Sequence, residues 1–270
     1  MQLTILGSGT CGSQMPGVEN RQPPAFVVQA QRETILFDCS EGVRFRLEKA
    51  GFDYVKIKHV CISHSHPDHY AFVHFLQSIG CINSWLGSHN ERIDLYAPQQ
   101  ITDSFNTLWA MYTPDDPRRE KRIWPHLELH SMTYPDRQER NIGEHKLTSY
   151  SVYHGFGQVD ACAFRLVADG KTFVYSGDTG ECEGIRTAAQ GADLFLCEAS
   201  ARISDVENPY KYGHLTPRVA GDIALKAGVK HLVFFHYTGL NTDDEMIADC
   251  RESGYEGRLT IAKDFQKLDF

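Results

Sequence analysis

The sequence predicts an α/β fold on two observations. Short apolar runs bounded by Gly, Pro and Asp turns recur along the whole chain, and stretches with helical apolar spacing lie between several of them. Residue types that ligate metals or move protons recur just after those runs. The 270 residues are long for one average domain and short for two. A single domain over 1–270 is therefore expected, with a substantial core. Its halves, about 1–145 and 146–270, share a strand-rich then helical order, although no sequence repeat underlies it.

Composition removes several classes. Hydrophobic content of 41% and charged content of 23% are ordinary for a globular protein. No unbroken apolar run is long enough to span a membrane. Met1–Leu6 has neither a basic region nor a cleavage site, so no secretion signal is expected. The eight cysteines form no C-x-x-C pair, and several lie inside apolar runs such as Phe195-Leu196-Cys197. They read as reduced, buried thiols of a cytoplasmic protein. A net charge of −8 disfavours a broad nucleic-acid surface but leaves room for a local basic patch.

Leu3–Leu6 reads as the first strand. Gly7-Ser8-Gly9-Thr10-Cys11-Gly12 follows as a literal G-x-G-x-x-G. A dinucleotide loop must open a helix, whereas Pro16, Gly17, Pro23 and Pro24 come next, so this is read as a tight turn near the active-site floor. Ala25–Val28 and Thr34–Phe37 read as two strands, the second ending at Asp38. A helix over Val43–Ala50 is closed by Gly51.

Val60-Cys61-Ile62 reads as a buried strand, and Ser63-His64-Ser65-His66-Pro67-Asp68-His69 follows directly. Pro67 keeps the strand from continuing. Three imidazoles and a carboxylate within six positions suit a borderline divalent metal, whereas one isolated histidine would be read as packing or surface. Tyr70–Ile79 has helical spacing, with His74 on that helix rather than at the metal. Ile93–Tyr96 is a strand.

Residues 101–145 are the least readable. They contain Trp109, Trp124, four prolines and the basic run Arg118–Arg122, which reads as a solvated face before a phosphate-steering lid. His126, His130 and His145 have no ligand spacing. Later strands are expected at Leu147–Val152, at Ala161–Val167 and Thr172–Ser176 around the Asp169-Gly170 turn, at Leu194–Cys197 and at Val229–Phe235. Thr216-Pro217 starts a helix that Gly228 ends, and Leu259–Ala262 is taken as the last strand.

The His64–His69 run resembles the H-x-H-x-D-H signature of metallo-β-lactamase-fold hydrolases. The resemblance implies a four-layer αββα sandwich with metals at one edge between two sheets. It also implies a ligand set. His64, His66 and His154 would hold one ion; Asp68, His69 and His236 the second; Asp178 would bridge them. The cofactor implied is two divalent ions, zinc before manganese or iron. Asp38, in Phe37-Asp38-Cys39, resembles the family's aspartate beneath the metals, expected to hold a ligand imidazole by its other N–H; a plain turn aspartate is the alternative.

Later motifs narrow the branch. Cys197-Glu198-Ala199-Ser200 resembles the H-E-A-T segment of ribonuclease Z-like enzymes, and Gly213-His214-Leu215-Thr216 their H-S-T segment. Ser176–Thr179 and Ala262-Lys263-Asp264 also match. Carried over, His214 is the general acid, Glu198 its orienting partner, and Asp68 a base toward the attacking water. The reaction implied is two-metal phosphodiester hydrolysis.

There are departures from that branch. Pro67 replaces a common Gly, and Pro16–Arg21 only loosely echoes a proline-lysine-arginine-asparagine loop. The tRNA-processing members insert a long arm between the equivalents of His154 and Asp178. Here 24 positions (178 − 154) separate them, which two strands and a turn consume. A small or cyclic phosphodiester is therefore the expected substrate, with RNA in tRNA 3′ processing, or a lactone or ester, as alternatives. A redox role is disfavoured because Ser65 and Pro67 leave no Glu in the first motif. No membrane partner is expected, and a homodimer is left open.

Overall fold

The computed structural model describes residues 1–11, 19–87, 92–112, 124–133 and 136–270. Two seven-stranded sheets face each other. The first comprises β1 (Gln2–Gly7), β2 (Ala25–Ala30), β3 (Glu33–Phe37), β4 (His59–Cys61), β5 (Arg92–Ala97), β6 (His126–Ser131) and β14 (Lys267–Asp269), in the order β14-β1-β2-β3-β4-β5-β6. The second comprises β7 (Glu139–Ile142), β8 (His145–Ser151), β9 (Cys162–Ala168), β10 (Lys171–Tyr175), β11 (Leu194–Glu198), β12 (His231–Phe235) and β13 (Arg258–Ile261), in the order β13-β12-β11-β10-β9-β8-β7.

The sheets share one plan. From β14 to β3 the pairings are antiparallel, and from β3 to β6 they are parallel. From β7 to β10 they are antiparallel, and from β10 to β13 parallel. The chain passes between sheets after β6, a few positions before residue 145. β14 then returns to the first sheet beside β1, so Leu259–Ala262 does not hold the last strand. That three-residue edge strand is too short to carry a readable alternation.

Helices cover both outer faces. α1 (Val43–Lys49), α2 (Phe72–Leu86) and α3 (Gln99–Tyr112) accompany the first sheet; α4 (Glu183–Ala189), α6 (Pro217–Ala227) and α7 (Asp243–Arg251) the second; α5 (Asn208–Lys211) is one short turn. The strands explain the layering. In β2, Phe26, Val28 and Ala30 enter the core between the sheets, while Ala25 and Val27 face the helical side. A strand buried on both faces reads as a continuous apolar run. Between the sheets Phe26 stacks on Phe37 at 5.0 Å and meets the edges of Tyr175 and Phe235 at 4.8 and 5.6 Å. Two further clusters lie under the helices, giving four layers, αββα.

Local signals act as expected at α6. Thr216 Oγ1 accepts from Val219 N–H, Pro217 takes the first turn, and Gly228 closes the helix at φ 65°. The helix after His69 starts later and runs further than its periodicity suggested, to Leu86. α7 has a capping box between Thr242 and Glu245, a signal the sequence reading passed over. The basic run Arg118–Arg122 lies outside the described residues, as does most of the stretch expected to lack a helix after Gly12.

Candidate metal centre

The site forms where C-terminal ends of strands from both sheets meet. Backbone bonds tie the edges together there: Cys162 N–H donates to Ser63 O at 3.0 Å, and Tyr237 N–H to Ser8 O at 2.8 Å. β4 delivers Ser63 and the His64–His69 loop; the loop closes on itself, with His69 N–H donating to His66 O at 2.9 Å. Beyond β8 comes His154, beyond β10 Asp178, and beyond β12 His236. The left-handed backbone of His236, at φ 60°, is uncommon outside glycine.

The side chains converge in two groups. Ligand atoms of His64, His66, His154 and Asp178 all lie within 4.8 Å of one another, as do those of Asp68, His69 and His236. Asp178 reaches both sets. Its Oδ2 lies 3.8 Å from His64 Nε2, 3.9 Å from His154 Nε2 and 3.4 Å from His236 Nε2, and its Oδ1 3.5 Å from His69 Nε2. A third group of ligand atoms joins Asp178 and His236 to His214.

These contacts fit bound divalent metal. His154 Nε2 faces His66 Nδ1 at 3.1 Å, and His69 Nε2 faces His236 Nε2 at 3.2 Å. Ring nitrogens so converged present lone pairs to a common point. Buried His64 Nε2 and Asp178 Oδ1, which face each other's group in the cluster, have no hydrogen-bond partner. Leaving a buried polar atom unpaired costs about 1–3 kcal/mol, more when it is charged, and a cation relieves that cost. Burial, reinforced by His69, holds His64 well below the ordinary imidazole pKa, keeping it neutral as ligation requires. Burial pushes the Asp178 carboxyl up, but His236 and His69 outweigh it and hold it well below the carboxylate range.

The outer partners are equally specific. Asp38, at φ 51°, is fully buried. It accepts from Ser63 N–H at 2.8 Å, Ser63 Oγ at 3.0 Å, His69 Nδ1 at 2.7 Å and Tyr175 Oη at 2.6 Å. The aspartate thus turns His69 Nε2 toward the cluster, the role that the family resemblance implied. His154 Nδ1 donates to Gly213 O at 2.9 Å. Only glycine serves there: at φ 89°, an added Cβ would meet His154 Cα at 2.7 Å. Ser63, Tyr175 and Gly213 had no individual sequence signal.

Glu198 and His214 form a second unit. Buried Glu198 accepts from His214 Nδ1 at 3.0 Å, Thr179 N–H at 3.1 Å, Ser200 N–H at 2.9 Å, Ser200 Oγ at 2.7 Å and Leu215 N–H at 3.2 Å. Its carboxylate cannot turn. The His214 side chain is 30% exposed, and its ring lies 4.9 Å from that of His154. Burial lowers its pKa, but Glu198 outweighs this and lifts it to about 9. A cavity of about 430 Å³ opens over the cluster, bounded by Thr10, Cys11, Asp68, Arg202, His214 and Leu240 among others. Asp264 ties Ser8 to Gln22, accepting from the backbone N–H of each at 2.8 Å. His126, His130 and His145 belong to none of the three ligand groups among the described residues.

A two-sheet αββα sandwich with a His/Asp cluster at its edge defines a metal-dependent hydrolase of the metallo-β-lactamase fold, and the cluster implies divalent metal. Residues 33–237 match the Beta-lactamase superfamily domain, and the chain belongs to that family, as a ribonuclease Z-like member. It is 30% identical to ribonuclease Z of Thermococcus onnurineus over 305 aligned positions, covering 99% of this chain and 95% of the relative. Its fold is similar to that of the metallo-β-lactamase fold protein YhfI from Bacillus subtilis (TM-score 0.80, 22% identity, 99% and 98% of the two chains). It is similar also to the short form of human tRNase Z, ELAC1 (TM-score 0.75, 20% identity, 100% and 99%).

Proposed function

We propose that this hydrolase is a two-metal phosphodiesterase acting on a small or cyclic phosphodiester. His64, His66 and His154 would hold one ion, Asp68, His69 and His236 the other, and Asp178 both. The imidazole-rich donor set favours zinc over manganese or iron. When bound, two such ions would supply Lewis acidity toward a phosphodiester and would make water easier to deprotonate. Asp68 takes a proton from that water. As the bond from phosphorus to the leaving oxygen breaks, His214 Nε2 gives its proton to that oxygen, while Glu198 holds Nδ1–H.

The observation that carries this reading is His214, which lines the cavity beside the cluster and is bonded at 3.0 Å to buried Glu198. An alkoxide is a poor leaving group, and a positioned imidazolium answers that need. A lactone or carboxylic ester needs less help, which makes such a substrate the weaker reading.

Substrate size follows from the stretch between His154 and Asp178. A 3₁₀ turn at Gly155–Gly157, β9, the Asp169-Gly170 turn and β10 occupy it, with no room for a protruding arm. The alignment to the Thermococcus enzyme also spans 305 positions against the 270 residues here, so at least 35 (305 − 270) have no counterpart. The name that relative carries favours a second reading, tRNA 3′ processing.

A screen of the metal-loaded protein against bis-aryl, cyclic and RNA phosphodiesters separates the two. Turnover of small diesters far above that of precursor tRNA is expected; the reverse order would establish the second reading. A cytoplasmic location is supported by eight free cysteines, and no helix among the described residues is long and apolar enough to cross a membrane. Whether two chains pair is a matter for sedimentation.

A further inference from the structure

Between β11 and α6 the chain runs from Glu198 to His214 and lines the cavity over the cluster. The segment after His236 pins the first part of that run. Thr238 Oγ1 donates to Ser200 O at 3.1 Å. Buried Asn241 makes two further bonds: its Oδ1 accepts from Ile203 N–H at 3.1 Å, and its Nδ2 donates to Ala201 O at 2.9 Å. The residue between those two contacts is Arg202. A buried amide that engages both its acceptor and its donor on one tripeptide fixes the course of that tripeptide.

Arg202 itself is exposed and lines the same cavity. Among the described lining residues it is the one lysine or arginine. Arg186 and Arg218, in the same half of the chain, each have a carboxylate at 2.9 Å. No described carboxylate pairs with Arg202, although the chain has 35 acidic residues against 27 basic ones. Asp205 is the nearest in sequence and donates its N–H to Arg202 O at 2.9 Å, but its carboxylate accepts from Asn208 Nδ2 at 3.1 Å. A solvated surface arginine needs no fixed backbone. A guanidinium whose fork of donors is free, on a pinned segment, suits an oxyanion arriving from solution.

We infer that Arg202 anchors a second subsite, which binds an anionic group of the substrate apart from the scissile phosphorus, and that Asn241 positions it. The inference rests on the phosphodiesterase reading and narrows its substrate to diesters with a further negative charge. A carboxylate and a second phosphoryl group share the geometry that a guanidinium recognises. The scissile phosphorus sits at the cluster, while the second anion reaches the wall that Arg202 occupies.

The test uses metal-loaded protein and p-nitrophenyl phosphodiesters that share one leaving group and differ in the other arm: propyl, carboxypropyl, phosphonopropyl and aminopropyl. The readout is kcat/KM for each charged ester divided by that for the propyl ester. In the unaltered protein the anionic esters are preferred by about tenfold, the low end for a hydrogen bond to a charged group, and the larger of the two ratios names the anion. The preference shrinks as salt rises, because an exposed pair is screened. Arg202→Gln brings the ratios close to one, and Arg202→Glu turns the preference to the aminopropyl ester. Asn241→Ala lowers the anionic ratios with metal content intact; an amide with a merely structural role would lower Tm and leave the ratios alone. Ratios near one in the unaltered protein, or ratios that survive in Arg202→Gln, overturn the subsite. If no ester is hydrolysed, the phosphodiesterase reading fails and the subsite is judged by calorimetry with propylphosphonate and carboxypropylphosphonate. Tighter binding of the carboxylated compound that Arg202→Gln loses then upholds it; equal affinities, or binding of neither, remove it.

Discussion

Asp38 and Asp178 occupy corresponding places in the two halves. Each follows the last antiparallel strand of its sheet, β3 in one and β10 in the other, where the pairing turns parallel. Each is buried beside the same imidazole, His69. Their surroundings nevertheless differ. Asp38 accepts four hydrogen bonds, from Ser63 twice, from His69 and from Tyr175. Asp178 stands among four imidazoles with Oδ1 unpartnered. A saturated carboxylate orients its neighbours, whereas an unsaturated one in a ring of lone pairs needs a cation. The halves divide the work similarly. The first concentrates its candidate ligands on one loop after β4. The second spreads its candidates beyond β8, β10 and β12 and adds the proposed proton donor His214, bonded to Glu198 at the end of β11.

The largest expected effect is at Asp178. Asp178→Ala reduces phosphodiester hydrolysis to background, because the side chain reaches both ligand groups; turnover near that of the unaltered protein would erase the distinction between the aspartates.

Next comes the acid. His214→Ala keeps its metal and loses about 10²–10⁴-fold in rate on a diester with an alkyl leaving group. On a nitrophenyl diester the loss is much smaller, and Glu198→Gln shows the same pattern more weakly. Equal losses on both substrates would remove the donor role. Loss of metal would instead place His214 among the ligands, as its proximity to Asp178 and His236 allows.

Asp38→Asn comes third. Asparagine tolerates the left-handed backbone and keeps an acceptor, so the fold survives. Metal affinity falls by about 10–100-fold as His69 loses its charged partner, measured by competition with a chelator. An unchanged affinity would make Asp38 a plain turn residue. Tyr175→Phe is the mildest. It deletes one donor to Asp38 and lowers stability by about 1.5–3 kcal/mol in denaturant titration, with metal binding nearly intact. A collapse of metal affinity there would mean that Tyr175, not Asp38, sets the position of His69.

What the sequence revealed follows from how far each signal is local. The His64–His69 loop is contiguous, so residue types alone disclosed it. Thr216, Pro217 and Gly228 fixed α6 for the same reason. His154, Asp178 and His236 are scattered, and family motifs were needed to join them to the loop. α3, β6 and β7 went unread because their burial is partial: β6 is half-buried along most of its length and lacks alternation. The donors to Asp38 were invisible for another reason. Tyr175 lies 137 positions away and meets Asp38 only because the sheets face each other. The Gly213 carbonyl is backbone, and no side-chain pattern announces it.

The central claim is that one carboxylate serves two ions, and metal content tests it most directly. The unaltered protein, Asp178→Ala and Asp38→Asn would be dialysed alike and their transition metal counted per chain by mass spectrometry. The account predicts close to two ions in the unaltered protein, loss of most of the metal in Asp178→Ala, and an intermediate count in Asp38→Asn. Full occupancy in Asp178→Ala would contradict it.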